Sequence, residues 1–325
     1  MKRSTLILMI IAASLVVAGV FLCVVGMALS SGDTLWNGGW IALGTRNTAV
    51  NEFEFTEEVS DIDIVVNTTD VEILPASDGV TKVVCQEDAR EPHTVWVEDG
   101  TLKIGMEKQS WYRKIRFFSI GERKVTVYLA EKELERLSIK TDTGDVRVAK
   151  ELSLASASVT TDTGEIAFAS PVAGALNIQV RTGDVSVSSP TLGSAEITAT
   201  TGDVSLYGVT ADEIKIETST GEIEATSVSC RTFSAQSSTG EQEYERVLAE
   251  KTLTLQATTG DISLLDCDAA EVSITTDTGD VSGRFLTEKV FYTETDTGRV
   301  NVPKSTSGGL CEITTDTGDI EFDAP

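Results

Sequence analysis

Carboxylates placed three residues apart around a glycine are the side chains of this chain best suited to chemistry. They occur as Asp142/Asp145, Asp162/Glu165, Asp277/Asp280 and Asp316/Asp319, each pair in a TDTG[DE] stretch. Such oxygen pairs across one tight corner are candidate calcium ligands, because hard cations take clustered carboxylates. The position after the glycine is acidic as Asp145, Glu165, Asp184, Asp203, Glu222, Glu241, Asp261, Asp280 and Asp319, with Arg299 the exception. Like charges about 5 Å apart repel by about 1 kcal/mol per pair even in a water-like dielectric. Either a turn N–H donating to each carboxylate or a shared divalent cation would offset that. The earlier carboxylate is replaced by Arg181, Thr200, Ser219, Ser238 or Thr258 in the middle units, which argues against a continuous calcium rail. The G-G-x-G-x-D frame of calcium-binding β-rolls is also missing.

Other chemistries find little support. His93 is the sole histidine, so a Ser/His/Asp or Cys/His mechanism would have to pass through one residue outside the repeats, and the plainer reading is a surface or hairpin residue. Cys85, Cys230, Cys267 and Cys311 form no C-x-x-C pair, which disfavours zinc, and they read as small buried hydrophobes. The formal charge of −25 argues against nucleic acid as a partner, since phosphate binding needs a basic face. One segment departs from that acidity. Lys108 to Lys124 carries six basic residues against one acidic, and its Trp111, Tyr112, Arg113, Lys114, Arg116, Phe117 and Phe118 are candidate contacts to a partner or to anionic headgroups. A strand pair with an exposed basic side is the plainer alternative.

The elements that position these groups follow from a repeat. Gly144, Gly164, Gly183, Gly202, Gly221, Gly240, Gly260, Gly279, Gly298 and Gly318 recur every 19 or 20 residues, the signature of a stacked array. Thr, Val, Ile and Ser dominate the units, so they are strands and turns. Apolar residues alternate after the glycine, as Val146 and Val148 or Val204 and Leu206, and before it, as Leu137 and Ile139 or Ile214 and Ile216. Two half-buried strands therefore meet at each TG corner. The sequence predicts an all-β chain, a parallel β-solenoid of about ten 19–20-residue coils stacked in chain order. Carrying strand parity through the corner turns Thr141 and Thr143 inward and Asp142 and Asp145 outward. The chain stops seven residues after Gly318, which would leave the last coil as a bare end.

Upstream, residues 46–137 form an N-terminal β cap in this reading and 138–325 the solenoid. Glu98-Asp99-Gly100-Thr101 reads as a hairpin turn, and Thr69-Asp70-Val71-Glu72-Ile73 as a copy of the repeat without its glycine. Residues 1–30 hold a cytoplasmic start and one N-terminal transmembrane helix, with 31–45 a linker. The uncharged run over residues 5–29 is long enough to span a bilayer, and Lys2 and Arg3 ahead of it place the rest of the chain outside the cytoplasm. A cleaved signal peptide is the alternative. Cys23 follows Val20-Phe21-Leu22 and lacks the small residue of a lipoprotein site.

The N-terminal membrane segment, the IDIVVNTTDVEILP strand, the VEDGTLKI hairpin and the repeated TDTGDV units together resemble the putative-adhesin family of bacterial β-strand-repeat proteins, a family of unknown function on Gram-positive envelopes. The resemblance covers nearly all of the chain after about residue 50. It implies a secreted or membrane-tethered β-solenoid, in some cases associated with envelope-stress systems. The expected function is a single-pass, membrane-anchored and non-catalytic surface adhesin or envelope scaffold whose ectodomain meets an envelope glycan or a membrane protein. Alternatives are an accessory or regulatory protein of a cell-envelope stress response and a glycan-cleaving β-helix enzyme. Short connectors in every unit speak against a walled catalytic cleft. No cofactor is expected apart from calcium at the paired acids.

Overall fold

In a computed structural model, residues 48–88, 91–106 and 123–325 are described. The anchor expected over 5–29 and the basic-aromatic contacts from Trp111 to Phe118 lie outside these residues. The described chain is all-β, a β-solenoid without a helix.

Its N-terminal part comprises β1 (Thr48–Phe55), β2 (Asp61–Thr68), β3 (Asp70–Pro75), β4 (Thr81–Asp88), β5 (His93–Glu98), β6 (Thr101–Met106) and β7 (Lys124–Leu129). Strand pairs meeting at a TG corner follow: β8 (Glu133–Thr143) and β9 (Val146–Val148), β10 (Ser153–Thr163) and β11 (Ile166–Phe168), β12 (Val172–Thr182) and β13 (Val185–Val187), β14 (Leu192–Thr201) and β15 (Val204–Tyr207). Next come β16 (Thr210–Thr220), the long β17 (Ile223–Thr239) and β18 (Gln242–Thr259), and β19 (Ile262–Cys267). The last three pairs are β20 (Glu271–Thr278) and β21 (Val281–Phe285), β22 (Lys289–Thr297) and β23 (Val300–Asn301), β24 (Gly309–Thr317) and β25 (Ile320–Asp323).

Alternation of apolar and polar residues dictates the packing. In strict parallel register, Ile64, Ile139, Val159, Ile178, Ile197, Ile216, Ala235, Leu255, Ile274 and Ile313 form one inward column. Val71, Val146, Ile166, Val185, Val204 and Ile223 form another across the core. Each such side chain contributes roughly 1.5–3 kcal/mol by leaving water. A one-residue slip would turn a whole column outward, so the burial itself fixes the register. One column breaks the pattern at Gln242. Its amide donates to Ser237 Oγ and the Gln256 carbonyl, and its Oε1 accepts from the Tyr244 hydroxyl at 2.8 Å. The buried polar group is satisfied.

Both ends depart from chain order. At the N-terminal end, β2 and β3 stack on β8 and β9, while β6 and β7, later in sequence, pair on the outer side of β2 and β3. The antiparallel strands β4 and β5 attach to β7 and β6, and β1 attaches to β4. At the C-terminal end, β24 lies between β20 and β22, in parallel register with both. The coil expected to be last is therefore second from the end. Its inward residues Cys311, Ile313, Ile320 and Phe322 are all buried, whereas the outer coil offers Thr293 and an exposed Val300 at the equivalent positions. Placing the apolar coil inside keeps it from water. Phe322 stacks on Phe285 at 5.1 Å, with Phe291 tilted against both.

Candidate functional site

The TG corner repeats along one edge of the solenoid. Its glycines from Gly144 to Gly279 have φ between 135° and 156°, in the region only glycine enters readily. Stacking adds a second demand. A Cβ on Gly183 would lie 2.1 Å from the carbonyl oxygen of Gly164, and the same approach recurs up the column. Each glycine N–H donates to the threonine carbonyl of the next coil, as Gly183 N to Thr201 O at 2.9 Å.

The threonines divide in a way that corrects the parity expectation. Those three before the glycine are inside: Thr141, Thr161, Thr276 and Thr315 are buried, and their hydroxyls donate to carbonyls at the corner of a neighbouring coil. Those directly before it, from Thr143 to Thr317, are exposed. The chain leaves its pleat to make the turn, so two successive residues face water and strict alternation stops there.

After the glycine, aspartate side chains form a ladder. Asp145 Oδ1 accepts from Glu165 N at 2.9 Å, Asp184 from Asp203 N at 2.9 Å, Asp203 from Glu222 N at 2.8 Å and Asp261 from Asp280 N at 2.8 Å. Asp280 likewise accepts from Asp319 N at 2.7 Å. Amide dipoles thereby meet the negative charge that stacking brings together. The ladder ends at Arg299, whose N, Nε and Nη2 all donate to Asp319. That arginine holds the Asp319 carboxyl below the ordinary carboxylate range, chiefly by the side-chain hydrogen bond.

Of the paired acids named from sequence, Asp142, Asp145, Glu165, Asp277, Asp280 and Asp316 are exposed and Asp162 and Asp319 are half-buried. Asp162 pairs with Arg181 of the next coil at 3.2 Å. Among the described residues, three or more metal-ligating side chains converge only at Cys85, Glu87 and His93. His93, expected at the surface, is buried against Glu87, its Nδ1 2.5 Å from Glu87 Oε2. The inward alternation of β4, ending on Glu87, was the sequence signal for it. Cys85, Cys230, Cys267 and Cys311 are buried and free.

A second surface feature went unforeseen. An open groove of about 900 Å³ runs along the solenoid from Ala173 to Gly309. Ala211, Cys230, Ala249 and Ala269 lie along its floor, small residues stacked in successive coils, and Asp212, Arg231 and Glu250 lie on its rim. Left-handed residues Gly208, Ser227, Arg246 and Asp266 turn successive coils just before this floor.

Comparison with known proteins places this geometry in a family. The family model described as Toastrack DUF4097 matches residues 59–229 and 224–325. No curated protein matches the chain. Solved structures to which the chain is similar include a putative adhesin of Bacteroides fragilis, 17% identical, covering 86% of this chain and 98% of its own, at a TM-score of 0.41. A putative adhesin of Parabacteroides merdae is 10% identical over 86% of this chain and 98% of its own, with a TM-score of 0.48. A putative lipid binding protein of Parabacteroides distasonis is 17% identical over 84% and 96%, with a TM-score of 0.45.

Proposed function

This chain belongs to the Toastrack DUF4097 family, and from that premise we propose that it is a membrane-anchored, extracytoplasmic and non-catalytic solenoid that binds an envelope component as an adhesin or scaffold. The groove from Ala173 to Gly309 is the observation that carries the proposal. It is long, open and floored by small side chains, a shape suited to an extended polymer rather than to an enclosed small substrate. Rim charges of both signs, with the hydroxyls of Thr191, Thr210 and Ser229, suit a hydrophilic chain such as an envelope glycan or a protein segment. The uncharged run over residues 5–29 supplies the anchor, and Lys2 and Arg3 orient it.

The test is retention of envelope material by the full chain in its native membrane, compared with an Arg231→Glu/Glu250→Arg variant. Binding without chemical change, weakened by the reversed rim, is expected. Failure to retain any envelope polymer or protein would overturn the proposal. Capture of a membrane protein together with an altered envelope-stress response on deletion would instead favour a regulatory role.

A further inference from the structure

Strand β4 directs Thr81, Val83, Cys85 and Glu87 inward, so its apolar face ends on a carboxylate. Strand β5 opens on His93, and Asn51 of β1 lies opposite Cys85. Cys85, Glu87 and His93 are 0%, 1% and 3% exposed, and one ligating atom from each lies within 4.8 Å of the other two. A buried carboxylate is costly unless it is fully partnered. Here it accepts from Asn51 Nδ2 at 2.5 Å and from His93 N at 2.6 Å, and it meets His93 Nδ1 at 2.5 Å.

We infer that Cys85 Sγ, the Glu87 carboxylate and His93 Nδ1 form a structural site for a divalent metal of the zinc class. Sulfur, nitrogen and oxygen donors together suit a borderline-soft ion and not calcium, which takes oxygen alone. The groups that would orient such ligands are already in place. His93 Nε2 faces Thr69 Oγ1 at 3.3 Å, and Asn51 and the His93 peptide N–H fix the two carboxylate oxygens. Partners of this kind set the ring orientation of metal-binding histidines. Metal entry opens the contact between His93 Nδ1 and Glu87; the ring proton moves to Nε2, where Thr69 Oγ1 accepts it, and the Cys85 thiol proton leaves to solvent. Burial makes the site structural rather than catalytic. It would tie β4 and β5 to Thr69, whose carbonyl oxygen lies 2.1 Å from where a Cβ on Gly144 would sit, at the first corner of the solenoid.

Cobalt(II) chloride titrated into the metal-free full chain tests this. One equivalent should bind with a near-ultraviolet thiolate-to-cobalt band. Cys85→Ser should abolish the band and Glu87→Gln should weaken binding at least tenfold, while Cys230→Ser leaves both unchanged. On the zinc-loaded wild type, X-ray absorption should show one sulfur at about 2.3 Å and nitrogen or oxygen at about 2.0–2.2 Å, a reading that stands even if Cys85→Ser does not fold. Absence of stoichiometric cobalt, a spectrum without the thiolate band, or a zinc shell lacking sulfur would each overturn the inference.

Discussion

Arg299 donates three hydrogen bonds to Asp319, twenty residues later in the chain, because its coil is stacked outside that of Asp319. Every earlier aspartate of the ladder accepts an N–H from the coil beyond it. The outermost coil has none beyond it, and there an arginine replaces the acid. What looks in sequence like a defect in the ninth repeat is in space the end of the ladder.

Removal of the chain beyond Gly308 should therefore damage its interior, not fray its tip. Among the described residues β22 pairs with β24 alone, so deletion of β24 and β25 should abolish amide-exchange protection over Val290–Thr297 even though that strand remains in the chain. Persistent protection there would show that β22 pairs with β20 instead.

Glycine substitution should separate stacking from backbone preference. At Gly183, φ is 141° and an added Cβ would sit 2.1 Å from a carbonyl oxygen, so Gly183→Ala should cost about 3 kcal/mol or more. At Gly208, φ is 64° with no atom within 4 Å of the added carbon, and Gly208→Ala should cost only about 1–2 kcal/mol. Denaturant unfolding of the two variants measures the difference.

Buried threonines should respond according to their partners. Thr315 Oγ1 donates to Gly279 O at 3.2 Å, so Thr315→Val should lose about 1 kcal/mol. The Thr218 hydroxyl is buried with no partner, and Val180 stands at the equivalent position two coils away, so Thr218→Val should leave the melting temperature unchanged or raise it.

The core cysteines predict alkaline sensitivity. Burial pushes Cys230 and Cys311 up to about 12 and Cys267 to about 11, against an ordinary value of 9.0. A thiol raised in the folded state leaves stability intact below about pH 9 and removes it as pH climbs toward 11 and 12. Melting temperature followed from pH 8 to 11 should fall above 9, and Ellman's reagent at pH 8 should label these thiols only after unfolding.

Much of the architecture was legible from local pattern. The glycine period, the alternation around Ile139 and Val146 and the Asp99-Gly100 turn each encode their element within a few residues, and the structure places them accordingly, with Asp99 and Gly100 at φ 50° and 76°. Thr143 was misplaced because parity holds only while the chain stays pleated. Burial of His93 could be read only from β4, whose inward alternation ends on its partner Glu87, and Gln242 holds the inward position two residues after Gly240 that apolar residues fill in other coils, its amide met by Gln256 further along β18.

Local pattern is enough to establish a β-solenoid, the apolar residues that line its core and the places where glycine is obligatory, because those properties repeat within one coil and rest on short-range sterics and burial. The order of the coils at the two ends, the convergence of Cys85, Glu87 and His93, and the groove emerge only when distant strands pack together. Coil order is a competition among strand edges for the most apolar neighbour. Thr293 against Ile313 tips it, a difference that matters only when both coils present their inner faces to the same core.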